Sequence, residues 1–273
     1  MTFRVVTHRT WLCRLFAPKG GVQDFGLDID ASTAGQDIWW APGEWAARAS
    51  RSGVALPLLS CGQEWLCGLP FDWLRRRVAV TPAHLVCEMF GEWDVTRLHV
   101  KLPEVKSDEF PARVMGLCEA SGWTERLPRT QLVQVSDTVP MSVEARFFVA
   151  RGTVRAESLY RAEGLWWSDD EFGSARERFA DEVRRMRSLA ESVAASASAP
   201  PGYVLDVGVG PSGDPVLIEA NAAWSSNPYD ADIDGVYESV MASQDPSVLH
   251  RRWLFDTDQF PHEVRALPVR RVL

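Results

Sequence analysis

YVLDVGVGPSGDPVLIEANAAW, residues 203–224, consists of two apolar runs of strand composition on either side of Pro211, Ser212, Gly213 and Asp214. A turn built from those four residues places Gly210 opposite Pro215 and, counting back along the ladder, Asp206 directly opposite Glu219. Asn221 then shares a face with Glu219, and Val204 and Leu217 are the apolar neighbours on that face. Two like charges facing each other weaken a sheet unless a cation lies between them. A hard divalent ion such as Mg2+ meets that need, because it takes oxygen from carboxylates, an amide, water and nucleotide phosphates. A solvated face, or a Glu219 paired with an arginine elsewhere, would satisfy the same charges. The arrangement also depends on loop length, since a slip of one residue turns Asp206 to the opposite face.

Upstream, EARFFVARGTVRAESLY (144–160) reads as a hairpin around Arg151–Gly152, with the glycine free to take positive φ. Glu144, Arg146 and Phe148 share one face of its first arm. In TRLHVKLP (96–103), Arg97, His99 and Lys101 alternate with Leu98, Val100 and Leu102, a strand with Lys101 on its polar face. The polar loop that follows, 104–110, adds Lys106; Lys19, Lys101 and Lys106 are the only lysines in a chain that otherwise uses arginine. QLVQVSDTVP (131–140) is a strand running into a turn. After the hairpin, Ser174 and Glu177 form a candidate capping box, and Phe179, Val183, Met186, Ala190 and Val193 recur at helical spacing as a packing stripe. The chain has neither a GxxxxGK[ST] loop nor a GxGxxG after a strand.

The 273 residues are 46% hydrophobic and 24% charged, with 37 acidic against 29 basic side chains and a net charge of −8, which argues against a nucleic-acid partner held by phosphate neutralisation. With no secretory signal and no apolar run long enough for a bilayer, a cytoplasmic protein without a membrane partner is expected. Five cysteines without a CxxC pair read as free thiols, and twelve tryptophans, clustered at Trp39, Trp40 and Trp45 and at Trp166 and Trp167, read as packing. The five histidines are scattered; His99 alone lies near the presumed site and reads as a bystander. The stretch 248–273 mixes basic and aromatic residues and reads as a docking segment.

Three segments, HVKLPEVKSDEFPARV (99–114), LVQVSDTVPMSVEARFFVARGTV (132–154) and YVLDVGVGPSGDPVLIEANAAWSSNPYDAD (203–232), together resemble the ATP-grasp superfamily, within it the small subclade marked by one arginine and two lysines. The resemblance implies an α/β (α+β) fold: a small N-terminal α/β lobe over residues 1–85 and a two-lobed nucleotide-binding and catalytic region with antiparallel sheets over 86–273. It implies that Lys101 and Lys106 contact the phosphates of ATP, that Gln134, Val135, Ser136, Asp137 and Val139 form a hinge whose backbone reads adenine, and that Arg146 binds the γ-phosphate or an acyl phosphate. Glu144 would position ribose or Arg146, and Asp206, Glu219 and Asn221 would hold Mg2+.

The implied activity is ATP-dependent ligation of a carboxylate to an amine through an acyl phosphate, with small-molecule or peptide substrates. Trp224, Ser225, Ser226 and Tyr229 would face the acceptor, with Asp230 and Asp232 beside Tyr229 to orient its amino group. An ATP-dependent phosphotransferase and a non-catalytic binding module are the alternatives. The chain departs from the family in lacking a glycine near Ala112 and in reading Asn227–Pro228–Tyr229 after Ser226.

Overall fold

Short apolar runs punctuated by glycine and proline build the N-terminal part of the chain. Its strands are β1 (Phe3–Val6), β2 (Gly21–Asp24), β3 (Asp28–Asp30) and β4 (Ile38–Trp40), and β2-β1-β4 form a parallel sheet. This computed structural model describes residues 1–245, 247–259 and 269–272. Residues 260–268 and 273 of the expected docking segment therefore lie outside the described residues, while Arg270–Val272 pairs with β3. Among the described residues, no helix is long and apolar enough to cross a membrane.

A second sheet follows, made of β5 (Val78–Pro82), β6 (Arg97–Lys101), β7 (Arg113–Gly116) and β8 (Leu132–Ser136) in the order β5-β8-β6-β7, every pair antiparallel. Alternation sends Leu98, Val100, Met115, Val133 and Val135 into its core and leaves His99, Lys101 and Gln134 on the other face. β5 lies N-terminal to residue 85 yet is laddered to β8, so this sheet begins inside the stretch expected to form the first lobe.

The third sheet, in the order β11-β10-β9-β12-β13, is antiparallel throughout and comprises β9 (Val143–Ala150), β10 (Thr153–Ala162), β11 (Leu165–Trp166), β12 (Gly202–Val209) and β13 (Pro215–Asn221). The expected two-residue turn joins β9 to β10, with Arg151 at φ 50° and Gly152 at φ 75°. One face buries Ala145, Phe147, Leu205 and Val207 against Met186, Ala190 and Val193 of the helix Ala180–Ser196. Each fully buried Val, Leu, Phe or Met among them contributes about 1.5–3 kcal/mol. The other face places Phe148 and Val204 against the helix Ile233–Ala242 and the first-lobe core of Trp39, Trp40 and Trp45. Gly202 lets that helix approach: a Cβ there would lie 2.3 Å from the Ser239 carbonyl oxygen.

Two local expectations are corrected. Ser174 caps no helix; it sits within Phe172–Arg178 and donates to the Glu171 carbonyl at 2.9 Å, and the chain kinks at Phe179 before Ala180–Ser196 begins. The β12–β13 turn is also longer than four residues, because Val209 rather than Gly210 pairs with Pro215. A bulge at Ile218 then absorbs the extra residue, so that Asp206 faces Glu219 after all. Leu217 consequently turns to the opposite face and packs with Val207, not beside Glu219.

Candidate active site

β9, β12 and β13 bring the charged residues together by register: Arg146 is opposite Asp206, and Asp206 is opposite Glu219. Arg146 Nε and Nη2 donate to the two Asp206 carboxylate oxygens at 2.8 and 2.7 Å, a bidentate pair in which both side chains are 2% exposed. Nη1 donates to the Asn227 carbonyl at 3.1 Å, and the guanidinium lies under Tyr229 and Tyr160, whose rings stack 5.0 Å apart. Arg146 is thus held beside Asp206; to touch a phosphate it would have to release one of these acceptors.

Glu219 is ion-paired with Lys101 of β6, a contact from one sheet to the other. The Asn221 amide nitrogen donates to both carboxylates, at 3.0 Å to Asp206 and 2.9 Å to Glu219. Burial raises the Asp206 carboxyl, and the Glu219 charge adds to this against the pull of Arg146. Burial acts the same way on Glu219, but Lys101 and Lys106 outweigh it and hold that carboxyl well below the ordinary glutamate range. Lys106 opens onto the cleft, yet the loss of water around its ammonium, and then Arg146, lower its pKa. His99, on the Lys101 face of β6, is pushed down to about 4 by burial and by Lys101, so it is neutral at pH 7.

Three adjoining cavities run along this line of charges. A cavity of about 430 Å3 between the two sheets is lined by His99, Gln134, the turn Ser136–Met141, Glu144 and Ile218. A second, of about 460 Å3, shares Lys101 and Glu219 with the first and adds Glu44, Glu104, Lys106 and Asn221. The third, of about 180 Å3, shares those last four and ends on Trp40, Trp224, Ser225, Ser226 and Phe255.

The hinge residues divide. Gln134–Ser136 lie between β5 and β6 as ladder partners, Val135 points into the core, and the Asp137 N–H donates to the Arg77 carbonyl at 3.1 Å. The Asp137 carboxylate is held bidentately by the Arg77 guanidinium, which lowers its pKa. The backbone beyond these ladder bonds therefore starts at Thr138 and Val139, four residues after Gln134, where the implied hinge begins. Glu144 accepts from the Tyr160 hydroxyl at 2.7 Å and from Arg161 at 2.6 Å; a second bulge, at Tyr160, brings both residues to it.

Of the residues expected to face an acceptor, Trp224 is fully buried and its indole N–H donates to the Leu59 carbonyl at 2.8 Å, while Ser226 is tied to Ala222 and Trp40. Asp230 and Asp232 already carry structural partners. Asp230 is ion-paired with Arg176 and accepts from Ser158, and Asp232 caps the helix Ile233–Ala242.

The sequence reading missed Glu44, Glu104 and Arg76. Glu44, in the first turn of the helix Gly43–Arg51, has its carboxyl raised to about 7 by burial and by Asp108. Glu104 accepts from the Gly62 N–H at 3.0 Å and the Ser60 hydroxyl at 3.1 Å, and burial raises its pKa as well. Nothing in the sequence separated these glutamates from surface ones, because the first lobe that covers them had no readable register.

The model of the ATP-grasp domain, family 2 of the clade named for one arginine and two lysines, matches residues 73–239, more than half of the chain. The chain belongs to this family. Among solved structures, D-cycloserine synthetase DcsG superposes on this ATP-grasp chain with a TM-score of 0.50 at 14% identity, covering 89% of this chain and 98% of that one. A RimK domain ATP-grasp protein from Sphaerobacter thermophilus DSM 20745 gives a TM-score of 0.49 at 12% identity over 90% of this chain and all of the other. At such identities the DcsG likeness is one of fold. No curated protein matches the chain.

The donor chemistry of the ATP-grasp chain fits a hard cation. Asp206 and Glu219 reach one Asn221 nitrogen, so their carboxylates lie close enough to share an ion, and turning the Asn221 amide would present its oxygen. Lys101 and Arg146 hold that place electrostatically. Among the described residues there is no cluster of three or more His, Cys, Asp or Glu suited to a metal, so a cation here would take two carboxylates, an amide and ligand oxygens.

Proposed function

We propose that this ATP-grasp chain is an ATP- and Mg2+-dependent ligase that joins a carboxylate to an amine. The observation that carries the reading is the file of three cavities, partitioned first by Lys101 and Glu219 and then by Lys106 and Asn221. The base and ribose of ATP would occupy the cavity at Thr138–Val139 and Glu144, and the triphosphate would run past Lys101 into the middle cavity toward Lys106. Mg2+, when bound to Asp206, Glu219 and Asn221, would neutralise phosphate oxygens.

A substrate carboxylate attacking the γ-phosphorus from the third cavity would release ADP and leave an acyl phosphate. The amine would then add to its carbonyl carbon, lose a proton and expel phosphate. Lysines that neutralise charge, and a closed cleft that excludes water from the acyl phosphate, suffice for this chemistry without a protein nucleophile. Arg146 would act indirectly, by fixing both oxygens of Asp206. Glu44 and Glu104, shared by the second and third cavities, would give the acceptor amine an acidic surround.

Calorimetric titration of AMP-PNP with and without Mg2+ tests the reading on wild type, Asp206→Ala and Glu219→Ala. Mg2+-dependent binding lost in both variants is expected, followed by ADP release in a screen of acids with amines. Folded wild type that binds no AMP-PNP would favour a non-catalytic module, and a stable phosphorylated product would favour a phosphotransferase.

A further inference from the structure

An extra residue in a strand can slip unless something holds it, and a slip in β13 would turn Glu219 away from Asp206. Arg76, two residues before β5, meets β13 at that place. Its Nη1 donates to the Leu217 carbonyl at 2.6 Å and to the Leu74 carbonyl at 3.1 Å, and its Nη2 donates to the Ile218 carbonyl at 2.6 Å. Leu217 and Ile218 are the last regular residue and the bulged residue. Its neighbour Arg75 reaches Asp214 in the β12–β13 loop at 3.1 Å, so the segment grips the same hairpin twice.

We propose that Arg76 is a positioning residue, clamping the Leu217 and Ile218 carbonyls and so locking the bulge that turns Glu219 onto the face of Asp206. The planar fork suits the task, because two nitrogens at fixed separation engage two carbonyls at once. The side chain is 7% exposed, which makes it an uncommon place for a charge with only backbone acceptors. Burial lowers its pKa only to about 10, so it remains cationic at pH 7 and its hydrogen bonds are charge-assisted. The effect on nucleotide binding rests on the function proposed above; the clamp itself is read without nucleotide.

Hydrogen exchange of the nucleotide-free protein, wild type and Arg76→Met, reads the clamp. Faster exchange confined to Val216–Asn221 and their β12 partners is expected; unchanged exchange, or a rise spread evenly over all sheets, overturns the proposal. Deletion of Ile218 supplies the discriminating background, because it leaves Val209–Pro215 and Asp206–Glu219 in one unbroken ladder that needs no clamp. Arg76→Met should weaken Mg2+-dependent AMP-PNP binding by about tenfold or more in the full chain, yet by less than about twofold in the deletion background. Equal losses in both backgrounds would mean that Arg76 acts through its charge in the cavity, and would overturn the clamp. If melting shows that the deleted chain does not fold, the exchange pattern of Arg76→Met decides alone. Failure of wild type to bind AMP-PNP overturns the functional reading and leaves the exchange result standing.

Discussion

Lys101 and Glu219 form an ion pair across the cleft, one on the four-stranded sheet and the other on the edge strand of the five-stranded sheet. Lys101→Met should therefore let the Glu219 pKa rise, since Lys101 is the strongest of the groups that depress it against the effect of burial. A carboxyl depressed on folding stabilises the protein above its unfolded pKa of about 4.3, and that contribution is lost as pH falls through the folded value. Acid unfolding of Lys101→Met should begin at higher pH than that of wild type, followed by urea midpoints from about pH 2 to 7. Superimposable acid limbs would refute this.

The Arg146–Asp206 pair predicts a strong asymmetry. Both side chains are 2% exposed, so Arg146→Met strands a buried carboxylate and should cost about 3–5 kcal/mol in chemical unfolding. Adding Asp206→Asn to that variant should recover part of the loss, because no bare charge remains. A double variant less stable than the single one by the sum of two independent effects would contradict the pairing.

Glu44 sets a slope of opposite sign. Its folded pKa of about 7, raised by burial and then by Asp108, lies above the unfolded value of about 4.3. Between those values the unfolded chain binds fewer protons, so stability declines as pH rises and stays at the lower level above pH 7. Glu44→Gln should flatten that decline and melt higher than wild type at pH 8, in scans of melting temperature against pH. Identical melting curves at pH 8 would remove Glu44 from the account.

Gly202→Ala should be among the most damaging single-methyl changes in the chain. The added carbon would lie 2.3 Å from the Ser239 carbonyl oxygen and from the Ser243 nitrogen, both in the backbone. Forcing the helix Ile233–Ala242 off β12 also strains the Ser239 hydroxyl bonds to the Val149 and Tyr203 carbonyls. A loss of about 3 kcal/mol or more is expected from denaturant unfolding, and a change under about 0.5 kcal/mol would show that the helix yields freely.

What could be read in advance tracks the reach of periodicity. The β9–β10 turn, the polar face of β6 and the packing stripe from Met186 to Val193 all follow from alternation and spacing within one segment. The Asp206–Glu219 pairing was expected from a four-residue turn that the chain does not make; a bulge next to Glu219 restored it. Bulges leave no mark in apolar patterning, and the same blindness hid how Tyr160 and Arg161 both reach Glu144. The partners of Asp230 and Asp232, Arg176 and the start of a helix, could not be read because they depend on tertiary packing and capping that the linear pattern around Tyr229 does not show.

β13 has a neighbour on one side only, whereas β9 is laddered on both. An insertion or deletion in β13 disturbs a single set of backbone bonds, while the same event in β9 would unzip two. Length change is thus a low-cost route by which Glu219 can be shifted in descent, with Arg146, two strands away, left where it is.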